Sequence, residues 1–312
     1  MQDIRLVAIL GGSGSGKSQL GLELAKKLDC EIFSLDSLSI YQEIDIASAK
    51  PTKEELKSVF HYAIDTLSPT EHNNATLFSS LLQEAIHSTQ SKGKDTLLII
   101  GGSSFYLKAI IEGLSPLPTL SQEQSQRIKE QIASLTSPLD FLLTLESSLP
   151  FSHNDTYRIH KYLEIYFSTG LTPSLYFQNN PKIPFPYAIE KYALVLPREV
   201  LRERIALRSE KMLREGIIEE AKYLLEKYGE EIQPFGSIGL KECRDYLKGE
   251  IGSKEELISL ITTHTSQLAK RQSTFNRTQF GIPLLCSETN SPREYARRQI
   301  IQGDYNSLLE LI

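Results

Sequence analysis

Gly11-Gly12-Ser13-Gly14-Ser15-Gly16-Lys17-Ser18 constrains this chain more than any other stretch. It satisfies G-x-x-x-x-G-K-[ST], the spacing of a phosphate-binding loop (P-loop). Its flanks agree with that reading. Leu6-Val7-Ala8-Ile9-Leu10 before it is a short apolar run with strand character, and Lys17 to Leu28 reads as a helix carrying Leu20, Leu22, Leu24 and Leu28. Strand, glycine loop and helix in that order build an anion site, because backbone N–H groups point inward and the helix N-terminus adds partial positive charge. In such a loop the lysine reaches the terminal phosphates and the last hydroxyl holds Mg²⁺, which assigns Lys17 and Ser18. A glycine-rich turn without function is the competing reading, and it leaves the matched flanks unexplained.

The pattern after the loop continues the alternation. Glu31–Leu35, Tyr62–Asp65 and Thr96–Ile100 read as strands, with Ala75–Ser91 as a helix between them. This predicts an α/β fold: a P-loop-containing parallel sheet with helices on both faces. Thr96-Leu97-Leu98-Ile99-Ile100 is apolar throughout, as a central parallel strand requires. Loops leaving the carboxyl ends of parallel strands bind ligands, so those after residues 10, 35 and 100 are expected to converge. The texture changes near Ser115-Pro116-Leu117-Pro118. Residues 116–190 are expected to form a helical insertion between a first core part, 1–115, and a second, 191–312. The second part opens with a strand at Tyr192–Leu196, followed by long helices at Glu199–Tyr228, Ile238–Lys248 and Lys254–Arg277.

Charge narrows the partners. Lys and Arg number 34 against 39 Asp and Glu in 312 residues, so the net charge is −5 and any nucleic-acid contact must come from a local basic surface. Cys30, Cys243 and Cys286 form no C-x-x-C pair, which argues against a zinc knuckle or a disulfide framework. No apolar run approaches the roughly 18 residues of a membrane span, and the start, with Asp3 and Arg5, does not resemble a signal peptide. A cytoplasmic monomer is the expectation.

Five constellations carry candidate chemistry. Asp36-Ser37-Leu38-Ser39 follows the second strand, where a carboxylate coordinates Mg²⁺ or takes a proton; an Asp capping a turn is the alternative. Gly101-Gly102-Ser103 admits a ligand close to backbone and offers a hydroxyl. Arg198, Arg202, Arg204, Arg208, Lys211 and Arg214 share one predicted helix, with Arg204 and Arg208 on one face. They read either as a phosphate clamp or, with Glu199, Glu203 and Glu210, as a solvated salt-bridged surface. His153 to Lys161 mixes cations and aromatics that suit RNA, or is a helix start capped by Asn154 or Asp155. Lys270-Arg271-Gln272 with Phe275 and Arg277 forms a last RNA-facing candidate.

Taken together, these residues resemble the tRNA dimethylallyltransferase (tRNA isopentenyltransferase) family over nearly the whole chain. The resemblance rests on Gly11–Ser18, Asp36–Tyr41, Asp45-Ile46-Ala47-Ser48-Ala49-Lys50-Pro51, Gly101–Tyr106, Glu112-Gly113-Leu114, His153–Arg158, Met212 to Glu220, Ser237–Glu242 and Ala269–Gln272. It implies transfer of a five-carbon group from dimethylallyl diphosphate to N6 of the adenosine beside the anticodon of tRNA, with diphosphate released and Mg²⁺ as cofactor. It further implies Asp36 as general base. Lys17, Ser103 and Arg208 act on the diphosphate with the loop Gly11, Gly12, Ser13, Gly14, Ser15, Gly16 and Ser18, and Ser18 is the metal ligand. The tRNA contacts it implies are Asp36, Ser37, Leu38, Ser39, then Tyr157, Arg158, Ile159, His160 and Lys161, then Ser237 and Lys241.

Several positions depart from the family pattern. Ser13 and Ser103 stand for Thr, Ser39 for Gln and Leu240 for Tyr. Phe275-Asn276 stands for a Trp-Phe pair, and Ser125, with Arg127 nearby, for an Arg. A P-loop kinase acting on a nucleotide or small metabolite remains the alternative, since the loop and Asp36 serve that chemistry equally well. A non-catalytic RNA-binding protein has no need for Asp36, Lys17 and Ser18 together.

Overall fold

The computed structural model describes residues 4–280 and 301–312; Asp3 and Cys286 lie outside them. Two compact units emerge, one formed by Met1–Ile111 with Pro186–Ile312, the other by Glu112–Phe185.

The first unit holds strands β1 (Arg5–Gly11), β2 (Glu31–Leu35), β3 (His61–Tyr62), β4 (Thr96–Gly101), β5 (Ile189–Leu194) and β6 (Ile301–Gly303). Its helices are α1 (Lys17–Lys27), α2 (Lys53–Ser58), α3 (Ala75–Ser91) and α4 (Ser104–Glu112), which ends at the start of the second unit. The second unit carries α5 (Gln122–Ala133), α6 (Pro138–Leu145), α7 (Thr156–Thr169) and α8 (Pro173–Asn179). The first unit resumes with α9 (Arg198–Glu215), α10 (Ile217–Tyr228), α11 (Leu240–Leu247), α12 (Lys254–Gln279) and α13 (Tyr305–Leu311).

The sheet runs β3-β2-β4-β1-β5-β6, and each adjacent pair is parallel. The apolar run of β4 is buried at every position, as its central place demands. Helices cover both faces. Val7, Ile9, Ile32, Leu98 and Ile100 pack with Leu20 and Leu24 of α1 and Leu308 of α13. Phe33, one residue on from Ile32 and so on the other face, meets Phe78 of α3 edge-on at 6.3 Å between ring centroids. The α/β core with helices on both faces is therefore as expected.

Four local expectations change. β3 is His61–Tyr62 rather than Tyr62–Asp65, because Ala63 and Asp65 take positive φ (59° and 51°) and turn the chain out of the ladder. β5 begins at Ile189, where its register against β1 starts at Leu6↔Ile189, and ends at Leu194 instead of Leu196. The long helix expected at Glu199–Tyr228 breaks at Gly216, whose φ of +100° only glycine adopts readily, and continues as α10. β6 has no counterpart in the sequence pattern; among the described residues it pairs with β5 alone.

The second unit has its own core. Ile128 and Ile132 of α5, Leu142 of α6, and Ile159 and Leu163 of α7 form one buried cluster. The i,i+4 spacing of each same-helix pair places both residues on one face.

Candidate active site

The carboxyl ends of β1, β2 and β4 open onto a cavity of about 830 Å³ within the first unit. Ser13, Lys17 and Ser18 come to it from the glycine loop, Asp36, Ser37, Leu38 and Ser39 from the turn after β2, and Gly102 and Ser103 from the turn after β4. Ala47, Ser48 and Ala49 line it too, with Arg208 and Met212 of α9, Ser237, and Leu268, Gln272 and Phe275 of α12. Cationic and hydroxyl groups thus share one chamber with apolar walls from Phe105, Ile205, Met212, Ile261, Leu268 and Phe275.

The loop is shaped for an anion. Gly16 at φ +94° turns the chain into α1, so the helix starts at Lys17 with its amides uncapped by any side chain. Lys17 Nζ donates to Gly12 O at 3.2 Å. Burial pushes its ammonium down to about 8; Asp36 nearby opposes that fall and Arg208 adds to it. Arg208 Nη1 donates to Ser13 Oγ at 3.2 Å, and burial lowers its pKa while Asp36 supports the charged form. Arg204, one turn earlier, donates to Ser15 O at 3.3 Å. The competing reading of this basic helix holds for its outer face, where Lys211 pairs with Glu215 and Arg214 with Glu210.

Asp36 sits in a tight turn. Its Oδ1 accepts from the amides of Leu38 at 2.9 Å and Ser39 at 3.2 Å, which fixes the carboxylate at the cavity wall. Turn capping and a chemical role coexist here, since Oδ2 takes no hydrogen bond from the described residues. Asn73, buried and unremarked in the sequence, anchors the same turn: Nδ2 donates to Ser37 O at 2.6 Å, and Oδ1 accepts from Tyr106 Oη at 2.8 Å. Its own N–H donates to Gln233 Oε1 at 2.8 Å. Glu220 on α10 holds the next segment by accepting from the amides of Asp45, Ile46 and Ala47 at 2.7, 2.8 and 2.9 Å. That clamp ties the Asp45–Lys50 stretch to α10 across about 175 positions of sequence.

A magnesium ion has oxygen donors here. The Ser18 hydroxyl and the Asp36 carboxylate both face the cavity. No group of three or more His, Cys, Asp or Glu suited to a metal occurs among the described residues. Mg²⁺ keeps several waters and binds through one or two protein oxygens plus substrate phosphates, so this sparse set fits it.

The IPP transferase family profile matches residues 39–279. The chain belongs to the tRNA dimethylallyltransferase family. It is 51% identical over 279 residues to the tRNA dimethylallyltransferase of Helicobacter pylori strain J99, covering 89% of this chain and 88% of that one. It is 50% identical to the enzyme of the same name from Wolinella succinogenes, covering 89% and 93%. A crystallographic structure of a eukaryotic dimethylallyltransferase acting on tRNA superposes with a TM-score of 0.76 at 25% identity, over 98% of this chain and 75% of that one.

Not all residues that the family resemblance assigns meet at the cavity. Lys241 points outward from α11 and does not line it, whereas Ser237 does. Ser39 lines the cavity but is buried, and its hydroxyl hydrogen-bonds Ser34 Oγ at 3.0 Å. Ile159 requires a correction: it is 4% exposed inside the α5–α7 cluster and its side chain cannot touch RNA. Its neighbours on α7 do reach solvent, Tyr157 at 71% exposure together with His160. Arg158 pairs with Asp155 at 3.1 Å, and Asp155, rather than Asn154, caps the helix. Lys161 pairs with Glu164 at 2.8 Å. Gln272, expected in an RNA-facing patch, instead bridges the glycine loops: Oε1 accepts from Ser13 N and Nε2 donates to Gly102 O, both at 3.0 Å.

Proposed function

We propose that this protein transfers a dimethylallyl group from dimethylallyl diphosphate to N6 of the adenosine next to the anticodon in tRNA. The observation that carries the reading is the convergence of Lys17, Arg208 and the glycine loop with Asp36 in a chamber that also has apolar walls. A diphosphate needs the first set, a five-carbon chain the last, and an attacking amine a base.

The chemistry assigns a role to each group. The N6–C1 bond forms as the C1–O bond to the diphosphate breaks. Negative charge grows on the departing oxygens, and the Lys17 ammonium, the Arg208 guanidinium and the loop amides are the groups that stabilise it. Ser103, at the start of α4, offers a hydroxyl to the same anion. Ser18, with Asp36 nearby in the same cavity, would hold Mg²⁺, which would supply further charge neutralisation. Asp36 takes the proton that N6 sheds. The exocyclic amine of adenine is a poor nucleophile, so holding it in line with C1 contributes as much as the base does. Adenosine must leave its stack to enter the chamber, which costs less for a base in a single-stranded loop than for a paired one. Tyr157, Arg158, His160 and Lys161 on α7 serve as RNA contacts.

The test is direct. The protein is incubated with Mg²⁺, dimethylallyl diphosphate and tRNA, and the nucleosides are digested and weighed by mass spectrometry. Adenosine heavier by one C₅H₈ unit, at the position 3′ to the anticodon, is the expected product. Consumption of ATP in a parallel reaction, with no prenylated nucleoside in the first, would establish a kinase instead.

A further inference from the structure

We propose that Gln272 is a positioning residue for the diphosphate cradle, tying the phosphate loop to the loop after β4 through its side-chain amide. The inference deepens the proposed function and rests on it.

β1 and β4 are neighbours in register Leu10↔Gly101, so the two glycine loops leave the sheet side by side. Glycines carry no side chains with which such loops could hold each other. Gln272 supplies the link from α12. Its Oε1 accepts from Ser13 N at 3.0 Å and its Nε2 donates to Gly102 O at 3.0 Å. The polarity has one solution, because a flipped amide would set donor against donor and acceptor against acceptor. A glutamine is also the right length: asparagine is one methylene shorter.

The helix behind the amide is placed independently. Ala269, one turn earlier on α12, lies against Gly12, where an added Cβ would come within 3.2 Å of its own Cβ. Helix and loop are therefore in contact at one point and hydrogen-bonded at the next. On the other side Arg208 holds the Ser13 hydroxyl. Ser13 is thus gripped at its N–H from α12 and at its Oγ from α9, and the loop beyond it is closed by Ser15 N–H donating to Gly12 O at 3.1 Å. A cradle ordered before the ligand arrives loses less entropy on binding, and keeps its donors aimed as the leaving group gains charge.

Gly102 gives the means of testing the tie. A Cβ there would approach Gln272 Nε2 to 2.5 Å, so Gly102→Ala expels the amide by contact. In the full-length protein, Gln272→Met keeps length and bulk and deletes both hydrogen bonds. Inorganic diphosphate, titrated calorimetrically in Mg²⁺ buffer, is the probe. The expected result is an increase in its Kd of about tenfold, from two hydrogen bonds of modest net worth. KM for tRNA should stay within about twofold and the melting temperature should hardly move. The Gly102→Ala/Gln272→Ala double variant should bind diphosphate no worse than Gly102→Ala alone, because the second change removes a contact already lost.

An unchanged diphosphate Kd in Gln272→Met overturns the proposal, as does a rise in tRNA KM in its place, which would return Gln272 to the RNA. Multiplying effects in the double variant overturn it too. These outcomes leave prenyl transfer by the parent protein standing. A parent that binds no diphosphate overturns the functional reading and the tie together.

Discussion

Arg208 Nη1 meets Ser13 Oγ at 3.2 Å across 195 positions of sequence. The contact brings a guanidinium from α9 into the cavity that Lys17 lines from the loop, and Asp36 is the opposite charge that favours both cations. Two cations crowded in a partly closed chamber repel each other until an anion arrives. The ligand-free site is therefore unfavourable for its own charges and complementary to a diphosphate.

A pH dependence follows from Lys17. Its ammonium lies at about 8 in the folded protein against 10.5 in the unfolded chain. Between those values the unfolded chain holds more protons, so the ligand-free protein gains stability as pH rises through that window. Binding runs the other way. Diphosphate favours the ammonium, so above pH 8 binding draws in a proton and affinity falls. Diphosphate Kd should weaken about fivefold from pH 8 to pH 9 beyond the effect of the ligand's own titration. Lys17→Arg, which stays charged, should remove that excess. Equal pH profiles for the two proteins would place the titration elsewhere.

Asp36→Asn separates base from turn. Asparagine retains an oxygen for the amides of Leu38 and Ser39, so the turn persists while the proton acceptor is lost. Transfer should fall by about 10²–10⁴-fold. Affinity for diphosphate without Mg²⁺ should hold or improve, since a negative charge leaves the chamber. Activity within about tenfold of the parent would mean that another group takes the N6 proton.

Glu220→Ala should destabilise the first unit. The change strands three backbone amides, those of Asp45, Ile46 and Ala47, at a cost of about 1–3 kcal/mol. Glu220→Gln keeps one acceptor oxygen and should lose less. Chemical denaturation of the three proteins measures the order. Equal stability in all three would mean that water satisfies the amides without the carboxylate.

What could be read from the sequence was local. The phosphate loop, the apolar strands β1 and β4 and the helix α1 each carry their own pattern within a dozen residues. The polar residues that hold the site together do not. Asn73, Glu220 and Gln272 act on backbone groups of distant loops, and a single polar side chain has no periodicity to reveal that. Gly216 went unseen as a helix break because helical spacing continues on both sides of it. Ser39 has a structural bond that its place in a motif did not reveal: its hydroxyl meets Ser34 Oγ across the turn. Ile159 was swept into an RNA-contact segment by its neighbours, although its spacing with Leu163 marks the inward face of α7.

That face gives the last prediction, which separates charge from packing on one helix. Arg158 and Lys161 reach solvent paired with Asp155 and Glu164, and exposed pairs of this kind exchange readily for phosphate. Lys161→Ala should weaken tRNA binding and reduce the slope of log K against log salt by about 0.7–0.9, the share of one neutralised phosphate. Arg158→Ala should do the same. Ile159→Val, between them in sequence, removes one buried methylene and should cost about 0.5–1.5 kcal/mol of stability. It should leave the salt slope untouched, because the Ile159 side chain is buried and carries no charge. Filter binding of tRNA over a salt series, beside denaturation of the same proteins, reads both quantities. A slope that changes with Ile159 and not with Lys161 would put the RNA on the opposite face of the helix.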